Sequence, residues 1–217
     1  MKIYDFPFSP NCRKVRAVAY ELGLKPEFVN VNLFTGEQRL ASVTTINPNA
    51  KVPILVDGDF VLWESNAIAS YLAEGSALLP ASGRERAEVQ RWADWQLAQL
   101  GPAIRKVAFE RLVKPMTGGG QPDPKVVEEG IAEYARWAGV LEASLGSKEY
   151  VAGRLSIADF IVASVFTVGA TCGLETAPHP KVNAWLGRVL ARDSMRRTLA
   201  EAQASIPRGQ AMVALAS

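Results

Sequence analysis

The 217 residues carry 24 Lys and Arg against 22 Asp and Glu, a formal net charge of +2, with 48% hydrophobic and 21% charged residues. That balance belongs to an ordinary globular chain, long enough for one large domain or two modest ones. The charges are dispersed without a block of one sign, which argues against a nucleic-acid partner. Cys12 and Cys172 are too few for a disulfide scaffold and suit a reducing compartment, and a single histidine, His179, leaves no cluster for a zinc site or a histidine-based triad. No apolar run reaches the roughly 18 residues of a membrane span, and the start lacks a basic segment leading into an apolar one. A cytoplasmic protein with no membrane partner and no secretory leader is expected.

Residues 3–6, Ile-Tyr-Asp-Phe, have strand character and stop at Pro7, which cannot continue a sheet ladder. Ser9-Pro10 reads as an N-cap followed by proline at the first helical position, and Val15, Val18, Ala19 and Leu22 keep helical spacing up to Gly23. The turn therefore presents Ser9, Asn11 and Cys12 at a helix N-terminus, where unpaired N–H groups and the helix dipole favour a thiolate or another anion. Residues 27–31 alternate like a second strand and close a β-α-β unit. A polar turn at 34–39 leads into a weakly helical stretch, and 47–53 is a loop. Two further strands, 54–56 and 60–63, flank the Asp57-Gly58-Asp59 hairpin turn. Glu64-Ser65-Asn66 opens another helix, with Ser65 as the cap and Ala67, Ile68, Tyr71 and Leu72 as the apolar stripe. The order β-α-β-α-β-β-α predicts a small α/β domain over 1–79.

Residues 79–83, Leu-Pro-Ala-Ser-Gly, read as a linker, after which long helical periods replace the hairpins. Val89, Trp92, Trp95, Gln99, Ile104, Val107 and Leu112 lie on one stripe, with Pro102 predicting a kink or break. Asp123-Pro124 is an N-cap and first-position pair that opens a helix running to Gly146. Ser156-Ile157-Ala158-Asp159 matches a capping box, with Asp in place of the preferred Glu or Gln. It precedes an almost wholly apolar helix over 157–170, expected as the buried centre of an all-helical domain spanning 85–217. Two more helices follow, the last over 195–202. Residues 209–217 have no clear anchor, and fraying is expected there.

This organisation resembles the cytosolic glutathione transferases, and specifically their serine-type, phi- or theta-like members. Four stretches carry the resemblance: the turn Ser9-Pro10-Asn11-Cys12-Arg13-Lys14-Val15, the loop from Asn47-Pro48 through Lys51-Val52-Pro53, the segment Trp63-Glu64-Ser65-Asn66-Ala67-Ile68, and Gly153 through Asp159. The resemblance implies a thioredoxin-like domain at 1–79 that binds glutathione and a helical domain at 85–217 that contributes the electrophile site. It also implies detoxifying transferase activity, in which the glutathione thiolate attacks an electrophilic small molecule or a peroxide, glutathione as co-substrate with no other cofactor and no metal, and a homodimer.

By the same resemblance Ser9 donates a hydrogen bond to the glutathione sulfur, although taken alone it is simply an N-cap. A free thiol titrates near pH 8.5 and only its thiolate attacks well, so a hydroxyl donor at a helix N-terminus favours the reactive form. Tyrosine-type members place a tyrosine at the end of the first strand, where this chain has Asp5. The resemblance further implies a cis bond before Pro53, with the Val52 backbone pairing the cysteinyl backbone of glutathione. Glu64 would meet the α-amino group and Ser65 the γ-glutamyl carboxylate. Gln38, Arg39 and Lys51 either serve the glycyl carboxylate or lie on a solvated surface. Cys12 reads as a small half-buried residue facing the core, or as the thiol of a glutathione-dependent thiol-disulfide oxidoreductase. A non-catalytic glutathione-binding module is the other alternative. A hydrophobic electrophile would sit between the domains against Phe6, Phe8, Phe109, Leu112 and Met116, although a Phe or Met at helical spacing is more often core than pocket.

Overall fold

The structure, a computed structural model, describes residues 1–116 and 118–205. Thr117, the tail 209–217 expected to fray, and the side chain of Met116 lie outside the described residues. Packing separates the chain into two units, the first formed by residues 1–80 together with the last helix.

In the first unit β1 (Lys2–Asp5) pairs in parallel with β2 (Glu27–Asn30), Ile3 lying opposite Phe28. On its other side β1 pairs antiparallel with β3 (Ile54–Asp57), Ile3 opposite Leu55, and β3 forms a hairpin with β4 (Phe60–Trp63). The sheet order is β2-β1-β3-β4, and each of the first two strands ends one residue sooner than its apolar pattern suggests. The connecting helix α1 (Pro10–Glu21) has Pro at its first turn, and α2 (Ala41–Thr44) follows a short 3-10 turn at Glu37–Arg39. The next helix, α3 (Ser65–Ala73), packs on α1. Ile3, Val15, Val18, Ile54, Leu55 and Ile68 are fully buried between sheet and helices.

In the second unit α4 (Gly83–Trp95) continues through a π turn at Gln96–Leu100 into α5 (Gly101–Ala108), then through a second π turn at Phe109–Val113 into α6 (Lys114–Met116). Gly101 donates back to the Gln96 carbonyl in the wider π spacing, so Pro102, which lacks an N–H, is accommodated inside the helical run rather than ending it. A Cβ at Gly101 would meet that carbonyl at 2.8 Å, so the turn needs glycine there. Asp123 caps α7 (Pro124–Leu145), accepting from Lys125 N–H at 2.9 Å. Then come α8 (Ile157–Thr171), almost wholly buried, and α9 (Pro180–Leu190).

The final helix, α10 (Asp193–Ala204), belongs by packing to the first unit, not to the helical region in which the boundary at 85 places it. Side-chain bonds on α1 account for this. Glu201 accepts from Arg16 at 2.7 Å and from Tyr20 at 2.9 Å, Ser194 donates to Glu21 at 2.6 Å, and Arg192 pairs with Glu21.

Where α5 meets α7, a methyl group on Gly130 would lie 2.7 Å from Val107 Cγ2 and 3.3 Å from the Ala103 carbonyl. Helix propensity alone favours alanine by roughly 1 kcal/mol, whereas overpacking against a stiff β-branched side chain costs about 1–3 kcal/mol. Gly130→Ala is therefore expected to lower the thermal midpoint, and a rise in a melting experiment would show that the two helices can move apart.

Candidate functional site

The β1–α1 turn is closed by backbone bonds: Ser9 N–H donates to the Phe6 carbonyl at 2.9 Å, and the Ser9 carbonyl accepts from Cys12 and Arg13 N–H. Ser9 thus occupies the N-cap position of α1, but its hydroxyl makes no capping bond. The expected cap is a matter of backbone only, and the side chain stands beside the helix N-terminus without serving it.

Cys12 is fully buried rather than half-buried. Its sulfur accepts from Phe6 N–H at 3.4 Å, and its thiol is pushed up to about 12, chiefly by burial and then by the Asp5 carboxylate, against the opposing hydrogen bonds from Phe6 and Ser9. A thiol so placed is neutral at physiological pH, and a neutral buried thiol is a poor nucleophile. Asp5, the residue at the end of β1, is buried and ion-paired with Arg16.

The loop before β3 is shaped by Asn47, whose side chain donates to the Lys51 carbonyl at 2.8 Å and accepts from Asn49 N–H at 3.0 Å. Such side-chain-to-backbone bonds are typical of asparagine in turns, and the Asn-Pro-Asn sequence is the signal that marks them. The loop ends in a cis Val52–Pro53 bond. Val52 packs in one buried cluster with Phe6, Cys12, Val31, Val43 and Ile54, which brings this loop to the β1–α1 turn.

Ser65 is the first residue of α3, and the N-cap is Glu64, whose carbonyl accepts from Ile68 N–H at 2.9 Å. Glu64 has φ 73° and ψ 110°, a region costing a non-glycine residue roughly 1–3 kcal/mol, and such residues gather at ligand sites. The Ser65 hydroxyl therefore does not cap the helix. It points toward Asn11 at the start of α1, with a long contact of 3.5 Å to its Oδ1. Beside it Lys14, fully buried, donates from Nζ to Asn66 Oδ1 at 2.9 Å. Asn11 is placed at this helix start by the turn itself, whereas Lys14 and Asn66 are not singled out by the sequence as site residues, because each lies on a face set by the packing of α1 on α3.

Gln38 is half-buried, its Oε1 enclosed without a hydrogen-bond partner, while Arg39 and Lys51 are exposed. Phe6 is 4% exposed and belongs to the core, so it is less available as a pocket wall than expected. It forms an aromatic group with Phe8 and Phe34, the Phe6–Phe34 centroids 5.1 Å apart, and Phe34, which the sequence reading omits, is the exposed member. In the second unit Phe109 is exposed and Leu112 half-buried, both on the second π turn. Among the described residues no group of three or more His, Cys, Asp or Glu side chains is placed to hold a metal ion, and no helix is long and apolar enough to cross a membrane.

The pattern of the glutathione S-transferase N-terminal domain matches residues 3–78, and that of the glutathione S-transferase C-terminal domain matches residues 100–193. The chain is 34% identical over 209 residues to glutathione S-transferase 3 of Zea mays, covering 92% of this chain and 93% of that protein. It is 35% identical to a probable glutathione S-transferase of Oryza sativa subsp. japonica, covering 91% and 94%. Its structure is similar, at a TM-score of 0.86 and 31% identity, to that of a maize glutathione S-transferase I in complex with an atrazine glutathione conjugate, covering 94% of this chain and 99% of that one.

Proposed function

This chain belongs to the glutathione S-transferase family and is a glutathione transferase, and from that premise we propose that Ser9 is the residue that holds the glutathione sulfur as a thiolate. The observation that carries this is a serine hydroxyl at the N-terminus of α1 that makes no capping bond. A hydroxyl donor and the aligned N–H groups of a helix start both favour the anion over the thiol. The thiolate then attacks an electrophilic carbon; the new C–S bond forms as the leaving group departs with its electron pair, and the thiol proton passes to solvent. Cys12 takes no part, because it is buried and neutral.

The peptide of glutathione would be held by the Val52 backbone at the cysteinyl group, by Glu64 at the α-amino group and by Ser65 with the first turn of α3 at the γ-glutamyl carboxylate. Gln38, Arg39 and Lys51 would serve the glycyl end, where the two exposed cations supply charge complementary to its carboxylate. On the first unit, Phe8 and Phe34 offer apolar surface to a hydrophobic electrophile. The same reading includes cytoplasmic residence, no cofactor besides glutathione and assembly as a homodimer. In support of the last, the edge strand β4 and its neighbour α3 expose Phe60, Val61, Trp63 and Tyr71. Sedimentation at micromolar concentration should give the dimer mass.

Ser65 separates recognition from chemistry. If it contacts the γ-glutamyl carboxylate equally in ground and transition states, Ser65→Ala raises KM for glutathione and leaves kcat nearly unchanged. A charge-assisted hydrogen bond of roughly 1.5–3 kcal/mol corresponds to about ten- to a hundredfold in affinity. Titrating glutathione at saturating chlorodinitrobenzene measures the split. Unchanged KM would remove Ser65 from the site, and glutathione binding without any turnover by the wild type would overturn the catalytic reading.

A further inference from the structure

Lys14 is fully buried in the first unit, a position that a cation keeps only with compensation nearby. Its Nζ donates to Asn66 Oδ1 at 2.9 Å, linking α1 to α3 across 52 residues of sequence. Nearer the start of α1, Asn11 and Ser65 make a second contact between the same two helices. Both links converge on the turn in which Glu64 holds φ 73°, a conformation that persists in a non-glycine residue only when its surroundings over-determine it.

We propose that Lys14 is a positioning residue that acts through Asn66 to hold the first turn of α3, Glu64 to Asn66, in the geometry that receives the γ-glutamyl carboxylate. This rests on the glutathione site proposed above. The ammonium form gives Asn66 a charge-assisted bond, which is the stronger of the two that lysine can offer. An anion arriving at Ser65 favours that same form.

The linkage has a definite sign. Burial draws Lys14 down to about 7, against the opposing charge of Glu64 at the start of α3, while Cys12 on its own helix is neutral in this range. On α10, also packed against α1, Glu201 is engaged by Arg16 and Tyr20, while Asp5 on β1 is paired with Arg16. Ammonium and amine are therefore both populated near neutrality. Binding of an anion at this turn should raise the lysine's pKa, take up a proton near pH 7, and weaken as pH rises through that range.

S-methylglutathione has no thiol to ionise, and comparison with Lys14→Met separates the lysine from the ligand's own α-amino group. Calorimetric titration between about pH 6 and 8.5 should show wild-type Kd weakening by about tenfold, the equivalent of one unit of pKa change, with proton uptake that follows buffer ionisation heat. Lys14→Met should bind about tenfold more weakly at pH 6 and lose the excess pH dependence, with KM raised and kcat little altered. Asn66→Ala retains the lysine but cuts its link to the turn, and should reproduce the weaker binding. If Lys14→Met fails to fold, Asn66→Ala decides. Wild-type affinity in the folded variants, with an unchanged pH profile, would overturn the role of Lys14 alone. No binding of S-methylglutathione by the wild type would overturn the glutathione site and this proposal with it.

Discussion

Ser9→Ala is expected to lower kcat for glutathione conjugation by about tenfold to a thousandfold, the scale of removing one hydrogen-bond donor from a developing charge. KM for glutathione should change little, because the peptide contacts assigned to Val52, Glu64 and Ser65 remain. The fold should tolerate the change well. A serine that caps a helix costs about 1 kcal/mol when replaced by alanine, but the Ser9 hydroxyl makes no capping bond, so the melting temperature should hardly move. The pH dependence gives an independent check. Without the hydroxyl, the bound thiol should ionise at higher pH, each unit corresponding to about 1.4 kcal/mol of lost preference for the thiolate. The kcat profile should therefore shift upward and activity at pH 6.5 should fall furthest. Full activity at that pH would mean that backbone N–H groups alone hold the thiolate and that Ser9 is not the catalytic donor.

Asp159→Ala should cost stability, not chemistry. The carboxylate is fully buried at the start of α8, where the capping box with Ser156 is formed. One oxygen accepts from Ser156 N–H at 2.9 Å and from the Ser156 hydroxyl at 3.2 Å; the other accepts from Val151 N–H at 3.0 Å and from the Trp185 indole N–H at 2.9 Å. Burial pushes its pKa up, and the bonds from Trp185, Val151 and Ser156 work against that rise. A capping box of its own is worth about 1–2 kcal/mol. Here alanine would also leave the Val151 and Trp185 donors buried without partners, each at about 1–3 kcal/mol. Added together these give a loss of roughly 3–8 kcal/mol, or a drop of about 10 °C or more in Tm, with kcat of the folded fraction intact. Asp159→Asn should fall between the two, since the amide oxygen can serve only part of the donor set. An unchanged Tm for the alanine variant would show that α8 does not depend on this carboxylate.

The two residues differ in how far a sequence exposes them. Ser156-x-x-Asp159 is a local pattern with a local cause, and so are Asp123-Pro124, the Asp57-Gly58-Asp59 hairpin and the Pro10 start of α1. Their partners lie within a few residues, so spacing and residue type suffice to place them. Trp185 and Val151 complete the Asp159 site from outside that window, and no spacing rule announces them. The same holds at the proposed glutathione site. The β1–α1 turn, the Val52–Pro53 loop and the Glu64-Ser65 segment are recognisable as stretches, whereas their side-chain roles depend on what each stretch faces. Ser65 looks like a cap in sequence and is the first helical residue in the structure, because Glu64 adopts a positive φ that its residue type disfavours.

By itself, then, the sequence determined the strand and helix order, the starts of α1 and α7, the capping box and the family to which the turns belong, because hydrophobic period, proline and capping chemistry act over a few residues. Only the tertiary structure decided which polar groups are buried. Arg16 reaches Glu201 across 185 residues and Lys14 reaches Asn66 across 52. It also decided that Pro102 sits in a helical run opened by a π turn, and that α10 packs on α1. In each case the free energy comes from pairing groups that burial would otherwise penalise, and the cost of burial is set by neighbours that only the folded chain brings together.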